Sequence, residues 1–197
     1  MTASILPLCL FVAVATVTPG GATTLATASG ARFGFTRSLP LMLGIATGLA
    51  SLAAVAALGL GGMLLAMPTL QTAVKAIGSA YLSWLAWRIA RSGPLNAQAG
   101  PARPVTLVNG VMLLWLNPKS WAMTVGAAAS FELLASSPGR LAMLLAVAFG
   151  VAACVSLALW CALGAVLARV FRTPLQWRVL NLAMGAMLGA SVVAAWV

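Results

Sequence analysis

The chain has 197 residues, 62% of them hydrophobic and 6% charged, with a mean hydropathy of +1.07. A soluble domain carries about 25% charged residues, so this composition belongs to a membrane protein. Its formal charge of +10 is spread over the ends of apolar segments, which argues against nucleic acid as a partner, and with no histidine, no aspartate and one glutamate, Glu132, it lacks the parts for His or carboxylate zinc sites, Ser-His-Asp triads and paired-carboxylate hydrolysis.

The first apolar stretch covers residues 5–28 and is interrupted by Thr18-Pro19-Gly20-Gly21. A proline removes a backbone donor and crowds the preceding turn, so a helix through it kinks or breaks. Ala26-Thr27-Ala28 resembles a leader-peptide cleavage site, but nothing before Arg32 is charged and a leader needs a basic start. A retained, broken first helix is the preferred reading. The second stretch runs from Leu39 to about Met67, with Gly44-x-x-x-Gly48 and then Gly59, Gly61 and Gly62, and Pro68 is expected to close it. Small residues four apart let helix backbones approach closely.

Leu70 to Ile89 makes a third span, with Lys75 near its start and Tyr81, Trp84 and Trp87 leading to Arg88 and Arg91, as interfacial aromatics do. Residues 91–105 read as the longest loop. The fourth span, Thr106 to Phe131, contains Asn117-Pro118-Lys119. Ser137-Pro138-Gly139 reads as a turn, Leu141 to Leu167 as the fifth span, and Val179 to Val197, with Gly185-x-x-x-Gly189, as the sixth. The glycine faces of spans two and six suit either internal packing or a homodimer. Cys9, Cys154 and Cys161 show no CxxC spacing and read as small buried hydrophobes.

The predicted fold is therefore an all-α integral membrane protein with six transmembrane helices and one membrane domain over 1–197. It divides into a repeat at about 1–90, a cytoplasmic loop at about 91–105 and a second repeat at about 106–197. Eight of the eleven basic residues fall in the loops after spans one, three and five: Arg32, Arg37, Arg88, Arg91, Arg103, Arg169, Arg172 and Arg178. The positive-inside rule makes those loops cytoplasmic and puts both termini outside, in the periplasm. The halves then run oppositely, as a 3+3 inverted repeat with helices 1 and 4 broken at Pro19 and Pro118.

Paired interruptions at corresponding places in two halves point to a transporter's solute site. A charge at the bilayer centre costs about 2.5–3.5 kcal/mol on insertion scales and is usually kept where it meets a partner or a water-filled cavity. Lys119 is such a charge. A helix restarting after a break presents unpaired N–H groups suited to an anion. The expected solute-binding set is Thr18, Pro19, Gly20, Gly21, Thr23 and Thr24 from the first break and Asn117, Pro118 and Lys119 from the second. Lys119 and the Gly20-Gly21 amides are expected to hold the carboxylate of an amino acid or organic acid. No carboxylate falls in a span, so Lys119 is also the candidate for proton coupling, with facilitated diffusion as the competing mode. Neither a metal nor a cofactor is called for.

At these breaks the sequence resembles the LysE/RhtB lysine exporter family of bacterial amino-acid translocators. The likeness runs through Thr18-Pro19-Gly20, Gly34, Gly44-Ile45-Ala46-Thr47-Gly48, Gly78-Ser79-Ala80-Tyr81-Leu82, Gly110 and Leu116-Asn117-Pro118-Lys119-Ser120-Trp121. It implies a six-helix inner-membrane protein, not an enzyme, that exports amino acids or related small metabolites against proton entry. Two places depart from the family's pattern: Gly21 and Ala22 stand where it usually has Pro-Asn, and Leu49 where it commonly has an aspartate. Those departures support the alternative of a non-transporting scaffold or degenerate member. A membrane thiol-redox carrier is a further alternative, which would need a cysteine at each break; neither break has one.

Overall fold

In the computed structural model, which describes residues 5–60, 66–91, 106–171 and 173–193, every regular element is a helix. They are α1 (Leu6–Val17), α2 (Gly21–Phe33), α3 (Phe35–Val55), α4 (Pro68–Ala90), α5 (Leu107–Trp115), α6 (Pro118–Ser130), α7 (Pro138–Val170) and α8 (Pro174–Val193). A wide turn, Ala56–Leu60, extends α3, and one 3-10 turn, Glu132–Leu134, follows α6. Helices close their own backbone hydrogen bonds, which is what a chain in hydrocarbon requires.

Proline starts four of these helices, where its missing N–H is no loss and its fixed φ suits the first turn. This corrects two expectations. Pro68 opens α4 instead of closing the stretch before it, and Ser137-Pro138-Gly139 is the start of α7, with the Ser137 hydroxyl accepting from the Arg140 N–H. α7 begins and ends three residues beyond the expected fifth span, and α8 starts five residues earlier than the expected sixth. The helices α2 and α3 are joined by Gly34 alone, whose φ of 78° lies in the left-handed region that favours glycine. A buried hydroxyl pair, Ser29 with Ser38 at 2.7 Å, fastens that joint.

Two faces of α7 show the environment. Leu141, Leu145, Phe149, Ala153, Leu157 and Cys161 recur every four residues and are buried. The opposite stripe, from Met143 through Val147, Val151, Val155, Leu159, Leu163 and Val166 to Val170, is exposed although entirely apolar. A stripe spanning about 40 Å of helix is far beyond the apolar patch a soluble monomer tolerates, and it matches a lipid-facing surface. Phe35–Gly59 and Pro138–Val170 are long and apolar enough to cross a bilayer, and α1 with α2, bent by 55°, makes a third crossing if counted as one broken span. The protein is a multi-pass membrane protein.

Glycines set the helix seams. On α2 and α7, Gly30 lies against the Cys161 carbonyl and Gly164 against the Thr27 carbonyl. On α3 and α5, Gly44 lies against the Leu107 carbonyl, Gly48 against Val111, and Gly110 against the Leu41 carbonyl and the Ile45 nitrogen. Gly185 of α8 meets Ala86 and Ala90 of α4. The Gly44/Gly48 face and Gly185 are thus engaged within the chain, while Gly189 meets nothing within 4 Å. Two cysteines depart from expectation: Cys9 and Cys154 are exposed on outward helix faces, and only Cys161 is buried. Gly61, Gly62, Arg103, Arg172 and residues 92–105 of the expected loop lie outside the described residues.

A methyl group at Gly164 would collide with a backbone carbonyl that cannot step aside, whereas Gly126 has open space around it. Gly164→Ala is expected to cost about 1–3 kcal/mol or more through overpacking. Thermal unfolding in detergent should show a clear fall in midpoint for Gly164→Ala and little change for Gly126→Ala.

Candidate functional site

The first break leaves the last carbonyls of α1 without partners of their own helix, because Pro19 has no N–H and Gly20 is extended. The second half of the chain supplies what is missing. Ser156 Oγ donates to the Thr16 carbonyl at 2.8 Å, Trp160 Nε1 to the Val17 carbonyl at 3.2 Å, and Lys119 Nζ to the Thr18 carbonyl at 3.3 Å. A cation at a helix C-terminus is also favoured by the helix dipole. Beyond the break, Gly20 N–H donates to Thr23 Oγ1 at 2.8 Å, and the Thr23 hydroxyl donates back to the Gly20 carbonyl. The N–H groups of Gly21, Ala22 and Thr23 have no hydrogen-bond partner among the described residues.

The second break is closed on both sides. Trp121 Nε1 donates to the Trp115 carbonyl at 2.8 Å, the two indoles meet edge to face, and the Leu116 carbonyl abuts Gly78 of α4. Asn117 caps the restarting helix: its Oδ1 accepts from the Lys119 N–H at 3.0 Å, and its carbonyl accepts from Ser120 and Trp121. Gly20, the corresponding residue of the first break, has no side chain with which to do this.

The breaks face one another across a cavity of about 40 Å³, a volume that holds about three waters. From the expected set, Thr18, Gly20, Gly21, Thr23, Asn117 and Lys119 line it. Pro19, Pro118 and Thr24 do not; the prolines shape the breaks, and Thr24 is buried with its hydroxyl unpartnered among the described residues. The sequence reading missed Thr16, Ser120 and Ser156, as well as the apolar wall of Ile45, Leu49, Leu114, Met123 and Leu157. Spacing held a signal for two of them, since Thr16 and Ser120 lie within one turn of a break. Ser156 lies mid-span on α7 with no local mark. Lys119 is half-buried, and its Nζ would be in ordinary contact, at 3.4 Å, with a Cβ at position 20.

A larger cavity of about 360 Å³ lies among Ala56, Val125, Glu132, Ser136 and Leu141, and shares no lining residue with the first. Glu132, the one acidic residue of the chain, is there and is exposed.

Comparison with known proteins gives one finding. The family model described as LysE type translocator matches residues 13–194, which includes both breaks and every lining residue. No curated protein and no solved structure matches the chain.

A wet cavity is distinguishable from a lipid-facing surface by chemistry. With Cys9, Cys154 and Cys161 replaced by alanine, cysteines introduced at Thr23 and Ser120 should react with a small water-soluble thiol reagent. A cysteine at Val151, on the exposed apolar stripe, should react at a rate about tenfold or more lower, because the thiolate is the reactive form and does not form in hydrocarbon.

Proposed function

Since the chain belongs to the LysE type translocator family, we propose that it is a secondary transporter exporting amino acids or related small carboxylate-bearing metabolites across a bacterial inner membrane. The proposed topology has six spans: α1 with α2, α3, α4, α5 with α6, α7 and α8. The halves are inverted repeats, the arginine-bearing ends are cytoplasmic and both termini are periplasmic. The charge pattern supports this. Arg32, Arg37, Arg88, Arg91, Arg169 and Arg178 fall at one set of helix ends, and Arg88 and Arg91 lie over Trp84 and Trp87 at 5.3 and 4.9 Å, a pairing typical of an interface.

One observation carries the transport reading. A cation from the second half and three residues of the first whose amides have no hydrogen-bond partner among the described residues line one cavity, and that cation is bonded to a carbonyl 101 residues away. In this reading the carboxylate of a solute takes Lys119 Nζ from the Thr18 carbonyl and also receives the amides of Gly21 and Ala22. The exchange replaces a bond between the halves with bonds to the solute. Loading thereby loosens the contact that holds α1 to α6, and the halves rock around the filled site. Asn117 fixes the backbone from which the lysine projects and does not itself have to bind the solute. Lys119 is the one ionisable side chain on the cavity wall, which makes it the group through which proton entry would be coupled.

In inside-out vesicles loaded from a panel of labelled small carboxylates, amino acids included, the wild-type protein should accumulate at least one above the level of empty vesicles. Lys119→Met should lower that flux by about 10- to 100-fold, because a hydrogen bond to a charged group contributes about 1.5–3 kcal/mol. Lys119→Arg should retain part of it. Unchanged flux in a folded Lys119→Met protein removes the binding role. In the coupled mode, an imposed gradient with the vesicle lumen acidic should raise accumulation, and flux insensitive to that gradient assigns facilitated diffusion.

A further inference from the structure

Reading the cavity as the solute site leaves open what kind of carboxylate it takes, and the two poles of the broken helices bear on that. An α-amino acid carries a carboxylate and an ammonium on one carbon. A half-helix pair can receive both, the carboxylate on a free N-terminal pole and the ammonium on a free C-terminal pole. Here the first is free before loading, and the one carbonyl that loading releases at the second, that of Thr18, lies next to the Lys119 ammonium. At the end of α1 the carbonyls of Thr16, Val17 and Thr18 already accept from Ser156, Trp160 and Lys119. At the end of α5 the Trp115 carbonyl accepts from Trp121, and the Leu116 carbonyl is covered by Gly78.

The charges agree with the poles. Lys119 is the one charged residue on the cavity wall, and the wall holds no acid. The sole acid of the chain, Glu132, lies on the other cavity. An incoming ammonium directed at the Thr18 carbonyl would stand beside the Lys119 ammonium, and like charges about 4 Å apart repel strongly once water is thinned out around them. Much of what remains is apolar, with Ile45, Leu49, Leu114 and Leu157 suited to a small aliphatic tail.

We propose that the preferred solute is a monoanionic carboxylate without a free ammonium, a 2-oxo or 2-hydroxy acid with a small aliphatic side chain, rather than the zwitterionic amino acid of the same skeleton. The proposal rests on the transport reading above and narrows its substrate class.

The test is counterflow in proteoliposomes with three solutes of one carbon skeleton: 4-methyl-2-oxopentanoate, 2-hydroxy-4-methylpentanoate and leucine, each corrected for empty liposomes. The two anions should enter at least about tenfold faster than leucine at equal concentration, the size of discrimination that a like-charge clash supplies. Met123→Glu places a carboxylate on the cavity wall four residues from Lys119 on the same helix, where the two can pair. It should erase the preference or turn it towards leucine, while Met123→Gln keeps it. Leucine entering as fast as the anions, or faster, overturns the substrate class and leaves transport standing. Counterflow of none of the three, with protein that unfolds cooperatively in detergent, overturns the class and removes support for transport as well.

Discussion

A broken helix in a membrane has to find partners for the carbonyls it frees, because lipid offers none. That requirement organises this protein. The α1 end is satisfied almost entirely from the other half of the chain, by a serine, an indole and an ammonium on α7 and α6. None of the three donors is near the break in sequence, so the break can exist only when both halves are assembled around it. The lysine is held in place by the same demand: its charge, costly anywhere in hydrocarbon, is seated at the negative end of a helix.

The two breaks share a design and differ in one residue. Each restarts a helix after an extended residue, but Asn117 closes its own helix start while Gly20 leaves three amides without partners among the described residues. A capped end is inert, and an uncapped one beside a cation is receptive to negative charge. A Cβ at position 20 would stand in ordinary contact with the Lys119 side chain, 3.4 Å from its Nζ.

Much of this was legible in the sequence, and the limits were physical. Pro19 and Pro118 announced the breaks, and Lys119 announced that something polar had to meet it, because proline chemistry and the cost of a buried charge are local facts. The donors to the α1 carbonyls were illegible. Ser156 and Trp160 sit inside an apolar helix with ordinary neighbours, and only the packing of α7 on α1 turns them into caps. Pro68 reads as a terminator and Pro138 as part of a turn, yet both open helices, because a proline stops one helix and starts the next with equal ease, and local sequence does not say which. Cys9 and Cys154 were expected inside because free cysteine is usually buried in soluble cores. In a bilayer an outward face is apolar too, and that preference loses its force.

The packing also bears on how a cavity that holds only a few waters could admit a solute. Sites for small molecules run to about 300–1,000 Å³, so transport as proposed above requires the halves to part somewhere. At the arginine-bearing ends, the α2–α7 and α3–α5 seams press glycines onto backbone carbonyls, with no side chain between to repack. At the opposite ends, Gly126 of α6 and Gly139 of α7 face open space, and the larger cavity lies beside them. Close backbone contact is lost abruptly on separation, since dispersion falls off within about an ångström. Side-chain contacts can slide and re-form. In the transport reading proposed above, the seams at the arginine-bearing ends serve as the rigid fulcrum, and the α1 and α6 ends, joined by the Lys119–Thr18 hydrogen bond and the edge-to-face contact of Phe11 with Phe131, are the parts that move.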